Sequence, residues 1–119
     1  MELRNDLPKI PPPIVSGYSL GAALALLYTL DRGRFYRPNH VLLLASPKIG
    51  DTAFCNAYNS KYAHRTFSVK NVNDPVVWVP NGKYTHIGGT LIDFNGRPFA
   101  HTLTYYYDTM ESMLLEHDS

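Results

Sequence analysis

Three observations predict an α/β protein built on a short, mostly parallel sheet with flanking helices. Val41-Leu42-Leu43-Leu44-Ala45 is a continuous apolar run bounded by Asn39 and Pro47, the pattern of an inner strand covered on both faces. Strand and helix patterns alternate from Ile14 to Val72, with connections long enough for parallel pairing. Gly17-Tyr18-Ser19-Leu20-Gly21 sits where a strand pattern gives way to a helix pattern, with a serine at the apex of the turn.

The elements follow in order. Pro11-Pro12-Pro13 forbids helix and withholds ladder donors, so the first strand begins at Ile14 and runs to Gly17. Leu20 to Asp31 is rich in Ala and Leu and apolar nearly all round, which predicts a buried helix stopped at Gly33. The Val41–Ala45 strand comes next. Asp51 is placed to cap a helix from Thr52 to about Tyr62, with Phe54, Ala57 and Tyr58 on one face. A third strand spans Thr66 to Val72. Tyr84 to Phe94, then Asn95-Gly96, then Arg97 to Phe99 reads as a β-hairpin with a type I′ turn. A last helix covers about Ala100 to Glu116. The expected architecture is therefore the short sheet, its helices, and a C-terminal hairpin plus helix.

At 119 residues the chain makes at most one domain, and its formal charge of +1 gives no electrostatic case for nucleic acid or an anionic membrane. Arg32, Arg34 and Arg37 cluster, but Gly33 and Pro38 mark that segment as a solvated loop. Cys55 is alone, which excludes an internal disulfide and suits a reducing compartment; beside Phe54 it reads as a buried, inert thiol. No apolar run approaches the length of a membrane span, and Met1 to Pro13 has no signal-like core. The expectation is a cytoplasmic chain, or a secreted one if a leader has been removed. His40, His64, His86 and His101 show no metal-ligand spacing, so no metal is expected.

The chemistry begins at Ser19. A strained strand-to-helix turn pushes its hydroxyl out of the fold, as a nucleophile requires, and crowding calls for small residues at Gly17 and Gly21. The Leu20 amide, just after the serine and at a helix start, is placed to meet a developing oxyanion. A serine also needs a base, and the base needs a third group to hold it. Asp74 follows the third strand, and Pro75 ends further pairing, which leaves the carboxylate at the carboxyl edge of the sheet. Among five histidines, His40 and His64 fall at surface positions and His117 in a frayed terminus. His101 stands at a loop-to-helix boundary that can swing its ring towards Ser19, while His86 lies in an extended segment. Both stay in contention as the base.

Five stretches in order resemble the class 3 (fungal-type) triacylglycerol lipases of the α/β-hydrolase fold. Gly17 to Ala25 is similar to that family's nucleophile elbow, with Tyr18 where histidine is commoner. Ala45-Ser46-Pro47-Lys48-Ile49-Gly50-Asp51-Thr52-Ala53-Phe54 resembles its strand-to-helix signature, and Asn73-Asp74-Pro75-Val76-Val77-Trp78-Val79-Pro80 its acid loop. Tyr84-Thr85-His86-Ile87-Gly88 resembles a non-catalytic signature, and His101-Thr102-Leu103 with Tyr106 the late histidine segment.

The resemblance implies Ser19 as nucleophile, Asp74 as orienting acid, His101 as base and His86 as a structural residue. It also implies an acyl ester or lipid substrate and no cofactor. In such lipases the elbow lies mid-domain, after further strands, a lid and the loop with the second oxyanion donor. Residues 1–13 therefore read as a proline-rich extension, and 14–119 as the C-terminal portion of a lipase-like domain. The first strand is then expected to have a bare edge, suited to homodimerisation or to a complementing N-terminal chain, and weak activity on short soluble esters is expected. A cutinase-like esterase is the alternative within the enzyme class, against which the single cysteine counts. A catalytically silent interaction module is the alternative outside it.

Overall fold

The computed structural model describes residues 14–32, 38–80 and 82–118, so the expected proline-rich extension, Gly33, Arg34 and Arg37 lie outside the described residues. Four strands form one sheet: β1 (Ile14–Tyr18), β2 (His40–Leu44), β3 (Thr66–Asn71) and β4 (Thr90–Phe94). They lie side by side in chain order and every neighbouring pair is parallel. Helix α1 (Leu20–Arg32) joins β1 to β2, and α2 (Thr52–Tyr62) leads, through a 3-10 turn at Ala63–Arg65, to β3. Helix α3 (Leu103–Asp118) closes the chain. No helix among the described residues is long and apolar enough to cross a membrane.

Two apolar layers follow from the alternation of side chains along the strands. Val41 and Leu43 of β2 are fully buried under Ala22, Ala25 and Leu26 of α1 and Cys55, Tyr58 and Tyr62 of α2. On the opposite face Ala45, Val69 and Val77 pack with Tyr106 of α3, flanked by Leu42, Leu44 and Ile92. The helix α2 starts where its cap requires, with Asp51 Oδ1 accepting from Phe54 N at 3.0 Å. Its inward face carries Cys55, Tyr58 and Tyr62, at a spacing of three and four, and Ala57 is exposed. Cys55 is buried as expected.

Two expectations are corrected. The hairpin does not form: β4 runs parallel to β3, with Val69 opposite Ile92 and Asn71 opposite Phe94. Asn95-Gly96 forms no turn; the chain turns at Pro98-Phe99 instead, and the segment from Gly96 on bonds to the end of β3 and the loop beyond it rather than pairing along β4. Helix α1 is buried on one side only; Leu20, Leu24, Leu27 and Tyr28 are exposed on its outer face. Lys70 occupies an interior position of β3, where burial is tolerated because its ammonium pairs with Asp93 of β4 at 3.3 Å.

Among the described residues β1 and β4 are the edges of this sheet. Because all strands point the same way, the segments following each of them gather along one edge, and the candidate site is built there.

Candidate active site

The turn between β1 and α1 holds Ser19 at φ 56°, a left-handed conformation that a non-glycine residue adopts only under constraint. The constraint is visible. Ser19 N donates to Leu44 O of β2 at 2.9 Å, while its carbonyl accepts from Ala22 N at 2.9 Å to open the helix. A Cβ at Gly17 would lie 2.2 Å from the Gly21 carbonyl oxygen, so the first glycine of the turn is sterically obligatory. A Cβ at Gly21 would meet nothing within 4 Å. The crowding is one-sided, which corrects the expectation that both glycines are needed for space.

Asp74 is fully buried just beyond β3. It caps the 3-10 turn at Pro75–Trp78, its Oδ1 accepting from Val76 N at 2.9 Å. Its other oxygen, Oδ2, accepts from Tyr106 Oη at 2.8 Å and lies 2.5 Å from His101 Nδ1. The opposite ring nitrogen of His101, Nε2, lies 2.8 Å from Ser19 Oγ. An ionised carboxylate only accepts, so Nδ1 carries the ring proton and Nε2 is free to take one from the serine. Ser19, His101 and Asp74, remote in sequence, form one hydrogen-bonded chain.

Two tyrosines frame that chain. The Tyr18 ring stacks on the His101 ring, with centroids 5.2 Å apart, and its hydroxyl donates to the His101 carbonyl. Burial, and then the charge of Asp74, raise the Tyr18 phenol above its ordinary pKa. Tyr106 is fully buried and stands edge-on to the imidazole. Burial is the main cause of its strongly raised pKa; the Asn71 N–H opposes it, and the hydrogen bond to Asp74 and that carboxylate's charge reinforce it. Both phenols therefore stay protonated donors across the neutral range. Leu20 opens α1, whose bonds to the Ser19 carbonyl begin only at Ala22 N, so the Leu20 amide precedes the helical ladder, and its side chain is exposed beside the serine.

His86 does not join the chain of hydrogen bonds. Its ring stands edge-on to Trp78, its Nε2 is buried without a partner among the described residues, and burial followed by the Lys70 charge lowers its pKa. His40 and His64 are exposed, and the His117 side chain lies outside the described residues. Sequence reasoning passed over Asn71, whose side chain is fully buried at the end of β3. Its signal was available: an amide at a position where β3 otherwise presents Phe67 and Val69.

Comparison with known proteins adds a family to this geometry. No curated protein matches the chain. A solved lipase, M37 lipase, superposes with a TM-score of 0.49 at 20% identity, over 63% of this chain and 25% of that one. The chain thus spans about a quarter of the length of that lipase. The family model for lipase (class 3) matches residues 7–84, a span that includes Ser19 and Asp74 and stops short of His101. With that match over most of its length, set on a parallel sheet with a serine at the strand-to-helix turn, the chain belongs to the class 3 lipase family.

Proposed function

We propose that this chain hydrolyses carboxylic esters, with Ser19 as nucleophile, His101 as general base and acid, and Asp74 as the group that orients and stabilises the imidazolium. One observation carries the reading: the continuous path from Ser19 Oγ through His101 to the buried Asp74 carboxylate. In the first half-reaction the serine oxygen bonds to the acyl carbon as its proton passes to His101 Nε2. The resulting oxyanion is met by the Leu20 amide at the positive end of α1. His101 then returns the proton to the departing alkoxide, leaving an acyl-serine. Water repeats the sequence, and the products are the acid, the alcohol and the free serine.

The substrates we propose are short, soluble acyl esters. The His101 side chain is a quarter exposed and Leu20 is open to solvent, so the described residues give the reacting centre little exclusion of water. The test is hydrolysis of p-nitrophenyl butyrate by the wild type and by Ser19→Ala, with fluorophosphonate labelling of Ser19 alongside. Activity and labelling that both vanish in the variant support the proposal. Equal rates in the two proteins would sink it, and leave a silent interaction module.

The same reading extends to a partner. Among the described residues β1 is an edge strand, and it carries no charged side chain, so a second copy can pair with it antiparallel across a twofold without opposing like charges. We assign that edge to homodimerisation.

A further inference from the structure

We infer that Asn71 is a positioning residue for the proposed hydrolysis, fixing the acid loop and the histidine loop at one separation. The inference rests on the Ser19–His101–Asp74 reading, and concerns a residue that touches none of the reacting atoms.

Asn71 ends β3, three residues before Asp74, and is fully buried. A carboxamide offers two donors and one oxygen able to accept twice. Every one of these capacities is used. Nδ2 donates to Arg97 O at 2.9 Å and to Ala100 O at 3.1 Å. Oδ1 accepts from Asn73 N and from Gly96 N, each at 3.0 Å. Asn73 belongs to the acid loop, whereas Gly96, Arg97 and Ala100 belong to the segment that delivers His101. One side chain therefore holds both loops, and Ala100 is the residue directly before the histidine.

The backbone of Asn71 serves the same two groups. Its carbonyl accepts from Asp74 N at 2.9 Å, tightening the turn that presents the carboxylate. Its N–H donates to Tyr106 Oη at 3.0 Å, and that hydroxyl in turn donates a hydrogen bond to Asp74 Oδ2. The fit is close: a Cβ at Gly96 would lie 2.8 Å from Asn71 Cγ and 2.6 Å from Tyr105 Oη. Asn73 adds outer links, its Nδ2 donating to Gly96 O at 2.7 Å and its carbonyl accepting from Phe99 N at 2.9 Å. Phe99 is held at φ 63°, so the segment carrying His101 is bent against its own preference to follow this pattern.

No other side chain satisfies the four bonds. Aspartate keeps the acceptors and loses the donors, facing a carboxylate towards the Arg97 and Ala100 carbonyls. Leucine keeps the volume and leaves four backbone groups unpaired. Because a displacement of about 1 Å at a reacting group is enough to lower turnover by roughly 100-fold, the loss should fall on kcat. KM should hardly move, because Asn71 is buried away from any substrate.

The experiment compares wild type, Asn71→Ala and Asn71→Asp for kcat and KM on p-nitrophenyl butyrate and for the rate of fluorophosphonate labelling at Ser19. Asn59→Ala is the control: the Asn59 side chain also ties down a distant backbone group, accepting from Gly88 N at 2.7 Å, but remote from the site. Both Asn71 variants should lose at least tenfold in kcat and in labelling rate at nearly unchanged KM, while folded Asn59→Ala keeps wild-type kcat. The Nδ1 proton of His101, expected as a downfield resonance in the wild type because of its 2.5 Å contact with Asp74, should broaden or vanish in Asn71→Asp even if Asn71→Ala does not fold. Retention of kcat within twofold, or of that resonance, in a folded Asn71 variant overturns the inference. Wild-type hydrolysis that survives Ser19→Ala would instead overturn the underlying reading, so the two failures are distinguishable.

Discussion

Tyr106 Oη donates to Asp74 Oδ2 at 2.8 Å, onto the same oxygen that faces His101 Nδ1 at 2.5 Å. A fully buried carboxylate is thus held by three hydrogen bonds, and a neutral phenol supplies one of them without adding charge. Tyr106→Phe removes that donor and leaves the Asn71 N–H without its acceptor. We expect turnover to fall roughly tenfold, the equivalent of about 1.4 kcal/mol, together with a stability loss of about 1.5–3 kcal/mol. Esterase rates and chemical denaturation of the same preparation check both. An unchanged rate in a destabilised protein would assign Tyr106 to the core alone.

The two glycines of the serine turn should respond in opposite ways. At Gly17 a methyl group meets backbone 2.2 Å away, and no rotamer can relieve that overlap. Gly17→Ala is expected to destabilise by more than about 3 kcal/mol and to abolish Ser19 labelling. At Gly21 the space is open and the residue is already helical, so alanine should be tolerated and add up to about 1 kcal/mol. Thermal melts of the two variants provide the check; similar losses in both would refute the one-sided crowding.

The difference between those glycines shows where sequence reasoning reached and where it stopped. The motif located the turn, because an apolar strand followed by a serine and an Ala-rich helix is a local signal. Which glycine the turn needs depends on how closely the helix start crosses the strand end, a non-local distance that no spacing contains. The same boundary runs through the whole chain. Val41–Ala45 and the Asp51 cap were legible because burial and capping act within a few residues. Asn95-Gly96 was misread because its hairpin preference is local, while the amide of Asn71, a residue 25 positions away, captures the chain there and leads it towards Asp74. His101 could be ranked above His86 from its place before a helix, but its distance from Ser19 depends on that capture. Asn71 itself stayed hidden, because a lone buried amide has meaning only once its four partners are known.

Lys70 and Asp93 form an asymmetric pair, and their substitutions should reveal it. The Lys70 side chain is 3% exposed and that of Asp93 is 42% exposed. Removing the aspartate strands an ammonium in the interior, whereas removing the lysine lets the carboxylate rehydrate. Asp93→Asn is therefore expected to destabilise by about 3–5 kcal/mol, and Lys70→Met by about 1 kcal/mol or less. Urea midpoints for the two variants decide the matter; a larger loss in Lys70→Met would show that the carboxylate is the buried partner in solution.

Alkaline pH should unfold the chain through its buried phenols. Tyr58 is fully buried, its hydroxyl is 2.8 Å from Thr66 Oγ1, and burial pushes its pKa from 10.0 up to about 12 despite that hydrogen bond. A phenol whose folded pKa lies above its unfolded value gives stability that is fully present below pH 10 and lost as pH rises towards 12. Stability measured by urea titration should therefore be flat from pH 7 to 9 and fall from pH 10 upward. Tyr58→Phe should lose about 1 kcal/mol at neutral pH, from the missing hydrogen bond, and show a shallower alkaline decline. A decline identical to wild type would assign the transition to other groups.

The assignment of the β1 edge to homodimerisation can be tested without touching the site. Ser19 N bonds to Leu44 O on β2, so Gly17 and Val15 share that side, and Ile14, Ser16 and Tyr18 turn their backbone groups outward. Ser16 is exposed, and proline there removes an outward N–H while leaving the β1–β2 ladder intact. Wild type should sediment as a dimer at micromolar concentration, and Ser16→Pro as a monomer with an unchanged circular dichroism spectrum. A monomeric wild type, or a Ser16→Pro dimer of undiminished affinity, would remove the edge from the interface. Because Ser16 lies three residues before the nucleophile, Ser19 labelling in the monomeric variant also reports whether the serine turn is complete within one copy.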